Sequence, residues 1–474
     1  MDILLSERDS NPLYLQLYTK FRCLVIEGIL RHGDKLPSVR RLEQQLKISK
    51  TPIETAYQML IEEGFAVSRP RSGLYVVNPG SDFTTNAIRG EAVASSPVAS
   101  LHRVPILARQ PLIDYDLLSV DEQSLPVRAW RAALNEALAS STRMLQHYGD
   151  PQGEPNLRGS LSNYLRTSRG LNCSPEQIIV GTGISQSIHL LSQLLGTSGS
   201  VAFEEGGIAQ VRDIFDRNGF HIVDAPLDDP ESVASAFKKH DVHTVYVTPS
   251  HRRSGLPMPY AMRVNLLRWA GAEDHRYIIE DDYDGEFRYS GRTIPSLQGM
   301  DANGVVIYIG TFSKSISPAL RMNYLVLPES LIDKLQASMH LIACPSRIEQ
   351  TAMHWFMERG HWYKQIRRMR NLYRRKREAL IRSIEHHLDP HVSIEGDKAG
   401  LHLELTVRTD RSADELRDLA ERYGVRIYVS ASAASPGSLS HPRVYLGYGG
   451  IRSAEMERGI ELLKQAWAAV LERT

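Results

Sequence analysis

The chain has 474 residues, 42% of them hydrophobic, with 56 Lys and Arg against 55 Asp and Glu. That length and composition suit a globular protein of two or three domains, and the near-neutral balance means that any nucleic-acid-binding face must be local. There is no signal-like N-terminus or bilayer-length apolar run, and Cys23, Cys173 and Cys344 make neither a metal spacing nor an even disulfide set, so a cytoplasmic chain with no membrane or metal partner is expected.

Three amphipathic helical periods fill residues 1–78. They run through Leu13, Leu17, Phe21 and Val25; then Val39, Leu42 and Leu46; then Ile53, Ala56, Tyr57, Leu60 and Ile61. Ser38 reads as the N-cap of the second helix. Thr51-Pro52-Ile53-Glu54 reads as a capping box with proline at the first position of the third. The short Lys47–Lys50 turn between them gives a helix-turn-helix, and Arg69–Val76 reads as a β wing with Gly73 at its tip.

Such a unit suits DNA. The third helix would present Lys50, Thr51 and Glu54 to the major groove, and Ser38 with the amides behind it would meet a phosphate. Arg40 or Arg41 would bridge to phosphate or a base edge, and Arg69 and Arg71 would flank the wing. By spacing alone, a helical dimer-contact domain is an equal alternative. The segment Gly33-Asp34-Lys35-Leu36-Pro37-Ser38-Val39-Arg40, with Ser49-Lys50, Ala56-Tyr57 and Glu63-Gly64-Phe65, resembles the GntR family of winged-helix regulators over nearly the first 77 residues. The resemblance implies operator DNA as a partner.

Residues 79–111, rich in Ser, Thr, Ala, Asn and Pro, read as a linker. In 112–474 short β-branched runs alternate with helical stretches, which predicts an α/β domain with a mostly parallel sheet. Strands are expected at Ile178–Val180, Val201–Phe203, Val245–Val247, Tyr277–Glu280, Val305–Ile309 and Tyr324–Leu327. Leu401–Thr406 and Val444–Leu446 around a helix at Ala413–Arg422 predict a smaller α+β lobe. The basic run from Arg367 to Arg377 reads as a solvated face of a long helix, Tyr363–Leu388.

Three segments carry chemistry. Gly310-Thr311-Phe312-Ser313-Lys314-Ser315 puts a lysine among hydroxyls just past a strand, with Arg321 following; this suits an aldehyde cofactor bearing a phosphate. Glu280-Asp281-Asp282-Tyr283-Asp284 sets four acids at a strand end, a pattern that points to a cation, either a metal or a protonated pyridine nitrogen. Gly181-Thr182-Gly183-Ile184-Ser185 is a strand-to-helix turn whose helix N-terminus would receive a phosphate.

Together these segments, with Tyr148-Gly149-Asp150-Pro151-Gln152-Gly153 and Thr248-Pro249-Ser250-His251, resemble fold-type-I aminotransferases. With the N-terminal unit they resemble the MocR family, in particular its GabR-like members, over essentially the whole chain. The resemblance implies pyridoxal 5'-phosphate (PLP) as cofactor, with Lys314 as the Schiff-base lysine, Asp281 at the pyridine nitrogen and Tyr283 at the phenolic oxygen. Ser313, Arg321 and the amides of Ile184 and Ser185 would hold the phosphate. It also implies a domain-swapped, head-to-tail homodimer, with Tyr148 reaching a site across the interface.

Some positions depart from the family pattern. Ile208 stands where GabR-like proteins carry a stacking aromatic residue, Gln210 where they carry an arginine, and Ser432 lies in a stretch without the carboxylate-binding arginine. The loop His251-Arg252-Arg253-Ser254-Gly255 is one residue shorter, and Arg252 or Arg253 is a candidate substitute clamp. The expectation is therefore a PLP-dependent regulator that senses an amine-containing metabolite, PLP itself, or both. The alternative is an active aminotransferase with an N-terminal appendage; Lys314 also permits half-transamination without net turnover.

Overall fold

In a computed structural model of the chain, the residues described are 12–70, 72–77, 113–140, 146–196, 199–204, 208–225, 227, 229–250, 257–289, 295–339, 342–396, 398–429 and 441–471. The expected linker and the residues Arg71, Arg252, Arg253 and Ser432 lie outside them. The chain divides into two units, Met1–Leu107 and Ala108–Thr474.

The first unit contains α1 (Leu13–Ile26), α2 (Val39–Leu46), α3 (Lys50–Glu62) and the antiparallel hairpin β1 (Ala66–Arg69) and β2 (Gly73–Val76). The apolar stripes meet in one small core in which Leu17, Leu42, Ile53 and Ala56 are fully buried. Phe21 meets Tyr57 edge-on at 5.5 Å, and the Tyr57 hydroxyl donates to the Pro37 carbonyl at 2.7 Å, tying the approach to α2 onto α3. Ser38 caps α2 by accepting from Arg41 N–H at 3.2 Å, and Lys47 ends it in the left-handed conformation, φ 54°.

The expected capping box is absent. Helix α3 starts at Lys50 after Ser49, so Pro52 sits inside the first turn, where its missing N–H had no helical partner to lose. Glu54 does not reach back to Thr51; it pairs with Lys50 at 2.9 Å. In the wing, Gly73 has φ +115° and the Lys35 side chain lies against it, so that a Cβ would sit 3.1 Å from Lys35 Cε.

The second unit begins with β3 (Ile113–Asp114), α4 (Val127–Ser140) and α5 (Pro155–Arg169). Strands and helices then alternate as β4 (Ile178–Gly181), α6 (Ile184–Leu195), β5 (Ser200–Glu204), α7 (Ala209–Arg217), β6 (His221–Ala225), α8 (Pro230–Lys239), β7 (Val242–Val247), α9 (Tyr260–Gly271), β8 (Tyr277–Asp281), α10 (Leu297–Met300), β9 (Val306–Thr311) and β10 (Asn323–Val326). They form a seven-stranded sheet of order β4-β10-β9-β8-β7-β5-β6, in which only β10 runs antiparallel to its neighbours. Apolar cores on its faces bury Ile179, Val201, Ile279 and Ile307 on one side, and Val180, Val245, Ile278 and Tyr308 on the other.

After α11 (Ile332–Ala337) and α12 (Arg347–Glu358), the 28-residue α13 (His361–Leu388) links two cores. Its Trp362 and Ile366 pack into the large lobe; Met369, Tyr373, Leu380 and Ile384 pack into the small one. The small lobe holds β11 (Val392–Glu395), β12 (His402–Val407), α14 (Ala413–Arg422), β13 (Val425–Arg426), β14 (Tyr428–Val429), β15 (Arg443–Gly447) and α15 (Ser453–Leu471). Strand β13 pairs in parallel with β3, which stitches the start of the unit to its end.

The basic run on α13 is less solvated than expected. Arg368 donates to Ser124 O at 2.7 Å, Arg370 to Glu286 O at 2.9 Å and Lys376 to Gly449 O at 2.8 Å, while Lys376 also pairs with Asp121. Among the described residues no helix is long and apolar enough to cross a membrane.

Candidate functional site

In the first unit, Ser38, Arg40, Lys50, Thr51, Glu54 and Gly73 are all exposed, on the start of α2, the start of α3 and the wing. The Arg69 guanidinium stacks on Tyr75 at 4.5 Å, so the wing's β1 cation is already oriented by its own hairpin. The Lys50–Glu54 pair partly cancels charge at the leading turn of α3.

In the second unit the chemistry gathers at the carboxyl ends of the parallel strands, where open α/β sheets bind ligands. Strand β9 delivers Lys314. Gly310 lies flat beneath the Tyr324 ring of β10, where a Cβ has no room. The turn that follows is held by Ser313 N–H and Oγ, each 3.1 Å from Thr311 Oγ1, and Phe312 and Ile316 are fully buried beneath it.

Lys314 is 7% exposed. Its Nζ donates to the Leu118 carbonyl at 2.6 Å and the Leu117 carbonyl at 3.4 Å. Burial lowers the amine to about 8, against the opposing pull of Asp284 and Asp116. A neutral, nucleophilic amine is thus accessible near physiological pH.

Strand β8 delivers the acids, and each has its own partner. Glu280 accepts from the Leu297 and Gln298 amides at 2.8 and 2.9 Å, holding α10. Asp281 accepts from the Tyr246 hydroxyl on β7. Asp282 accepts from Arg169 at 2.7 Å and from Tyr308 at 2.6 Å, and Arg169 also reaches Ser250 Oγ at 2.9 Å. Burial pushes Asp281 up to about 7; the Tyr246 bond counters this, while Asp282 and Asp284 add to it. Tyr283 is half-buried two residues beyond Asp281. Asp282 pairs with a cation, Arg169, which comes from α5. No group of three or more His, Cys, Asp or Glu that could hold a metal occurs among the described residues.

Strand β4 leads through Gly183, φ +128°, into α6, whose first residues are Ile184 and Ser185. Arg321, in the left-handed region at φ 46°, lays its guanidinium against Gly183, 2.5 Å from where a Cβ would stand. A cation, a helix N-terminus and a glycine that keeps the approach open form a cradle that could receive a phosphate. With the buried amine and the buried carboxylate, these residues fit an aldehyde-bearing phosphorylated pyridine.

Of the departing residues, Ile208 and Gln210 are described. Ile208, half-buried, precedes α7 and packs on the sheet core. Gln210 donates through Nε2 to Ser185 Oγ at 2.7 Å, at the cradle's own helix start. Tyr148 is fully exposed; Arg347 holds its backbone by donating to the His147 and Tyr148 carbonyls at 2.8 and 3.3 Å.

Residues 13–76 match the family described as bacterial regulatory proteins, gntR family, and residues 115–439 match aminotransferase class I and II. The chain is 30% identical over 481 residues to the probable rhizopine catabolism regulatory protein MocR of Rhizobium meliloti, covering 99% of this chain and 96% of the relative. The chain belongs to the MocR family. It is an HTH-type transcriptional regulator with an aminotransferase-like domain.

The chain is also 38% identical over 473 residues to the HTH-type transcriptional regulator YdeL of Bacillus subtilis strain 168, covering 96% of this chain and 97% of the relative. The kynurenine aminotransferase of Pyrococcus horikoshii shares the fold, with TM-score 0.69 at 22% identity, covering 77% of this chain and 93% of that one. Within this MocR-family chain, motif reading missed Tyr246, Arg169 and the Leu118 carbonyl. Tyr246 is one of three residues in Val245–Val247 expected simply as a buried strand, and nothing local marks it as polar.

Proposed function

We propose that this regulator binds PLP covalently through Lys314, and that PLP or an amine-containing metabolite arriving at that site changes how its DNA-binding unit engages an operator. The observation that carries the reading is the placement of Lys314, Asp281 and the Arg321–Gly183 cradle at the carboxyl edge of one sheet, in a chain with a GntR-type head. When bound, PLP supplies an electrophilic carbonyl and an electron-withdrawing ring. Lys314 Nζ provides the attachment point, Asp281 faces the ring nitrogen and Tyr283 the phenolic oxygen. Ser313, Arg321 and the amides of Ile184 and Ser185 receive the phosphate.

Ile208, Gln210, Arg252, Arg253 and Ser432 border the effector. Gln210 carries no charge and is engaged at Ser185, which favours an effector that is not clamped there by a carboxylate. On the DNA side, Ser38, Arg40, Lys50, Thr51, Glu54, Arg71 and Gly73 form the contact set, within a head of residues 1–78 followed by a linker of 79–111 and an effector domain of 112–474. The chain works as a head-to-tail, domain-swapped homodimer in the cytoplasm, a reading supported at Tyr148 by its full exposure. Two heads then address paired half-sites.

The test is the visible absorption of the purified protein, titrated with amino acids, D-amino acids, dipeptides and amines while operator binding is followed. A band lost in Lys314→Ala is expected, and absence of any band in PLP-saturated wild type would overturn the reading. A compound that shifts the band without sustained turnover and alters operator affinity is the effector. If none does, but PLP added to the apo protein alters operator affinity, PLP is the signal. Sustained turnover with a keto acid would establish the aminotransferase alternative.

A further inference from the structure

The acid expected to face the ring nitrogen rests on a tyrosine from the neighbouring strand. Strands β7 and β8 run parallel with Tyr246 opposite Ile279, so the pleat puts Tyr246, Ile279 and Asp281 on one face of the sheet. Tyr246 is 2% exposed and Asp281 5%. The Tyr246 ring is fixed against Phe203 of β5, centroids 5.4 Å apart, so the phenol has a defined direction. Its hydroxyl donates to Asp281 Oδ2, the one hydrogen bond made by that carboxylate among the described residues. Oδ1 is thereby left as the oxygen for a ring N–H.

We propose that Tyr246 is a positioning residue for the cofactor: its hydroxyl anchors Asp281 Oδ2 and aims Oδ1 at the pyridine nitrogen. The inference rests on the reading that PLP occupies this site. The need for such a donor is electrostatic. Burial and the neighbouring carboxylates of Asp282 and Asp284 all favour a proton on Asp281, and a neutral acid would not hold a protonated ring nitrogen. A phenol buried beside a carboxylate has its own ionisation pushed well above the usual range, so it stays a donor throughout the physiological interval. Phenylalanine at this position keeps the ring contact with Phe203 and removes only the hydroxyl.

The experiment uses the full chain loaded with PLP labelled with 15N at the ring nitrogen, at one neutral pH. In wild type the 15N shift should be that of a protonated pyridine. In Tyr246→Phe it should move toward the unprotonated value, with PLP bound about tenfold more weakly, since a hydrogen bond to a charged group is lost. The visible band that depends on Lys314 should be retained. The same substitution should have no effect on PLP affinity in an Asp281→Asn background. An unchanged 15N shift, or an equal loss of affinity in that background, would overturn the proposal and leave the PLP reading standing. If Tyr246→Phe does not fold, 3-fluorotyrosine at position 246 gives the same readout: a more acidic donor must alter the 15N shift, and an unaltered one overturns the proposal. Absence of the visible band in wild type would instead defeat the PLP reading itself.

Discussion

The two units solve the problem of holding charge in opposite ways. In the DNA-binding unit the candidate contact cations and hydroxyls lie on the surface, and their partners are close in sequence: Ser38 with Arg41, Lys50 with Glu54, Arg69 with Tyr75. In the aminotransferase-like unit the charges are buried and their partners come from distant elements. Asp282 meets Arg169 across 113 residues, and Asp281 meets Tyr246 across 35. Exposed pairs contribute little and are readily exchanged, whereas a buried charge deprived of its partner is strongly destabilising. Sequence changes in the head should therefore retune recognition with little effect on the fold, while changes around β8 should endanger the whole site.

Arg169→Met tests this contrast most severely. It leaves Asp282 buried without its cation and should cost the large unit about 3–5 kcal/mol. Urea unfolding should show the transition of that unit moved to lower denaturant with the head's transition unmoved; a joint shift would mean that the units are not independent. Leu42→Ala strikes the head's small core, where the side chain is fully buried. A loss of about 2–5 kcal/mol is expected, and operator binding should disappear while the visible band stays.

A smaller effect distinguishes the two kinds of charge by pH. The buried Lys314 amine ionises at about 8, below its unfolded value. The unfolded state therefore binds more protons between about 8 and the ordinary lysine value, and this group's contribution to stability rises with pH across that window. Capture of added PLP by the apo protein, followed by stopped-flow absorbance, should accelerate by up to roughly tenfold per pH unit below 8 and level off above it. A pH-independent rate would mean that the amine is not the limiting nucleophile. The mildest change is Glu54→Gln, which releases Lys50. Melting of the head should be unaltered, and the slope of operator affinity against salt should steepen by about one phosphate contact. An unchanged slope would mean that Lys50 does not meet the DNA backbone.

Much of this architecture could be read from local patterns. Periodicity located α1, α2 and α3, the predicted strands match β4, β5, β7, β8, β9 and β10, and the long helix α13 lies where expected, because each buries an apolar stripe whose spacing follows from backbone geometry. The strand β6 escaped notice: the exposed His221 and Asp224 interrupt the apolar run at the sheet edge. The box at Thr51–Glu54 was misassigned because Ser49 begins the helix two residues earlier and Lys50 claims Glu54.

The candidate site residues, Lys314, Asp281, Arg321 and the Gly183 turn, were evident from the sequence because a lysine after a strand, acids at a strand end and a glycine before a helix each have a local physical meaning. Which neighbour each would meet was not. Tyr246 becomes a donor only because parallel pairing of β7 with β8 brings its face to Asp281; Gln210 turns to Ser185 only because α7 packs beside α6; and the Leu118 carbonyl reaches Lys314 only because β3 pairs with β13. Periodicity is fixed by the covalent chain, but the partner of a buried polar group is chosen by the packing of elements far apart in sequence, and only the tertiary structure supplies that choice.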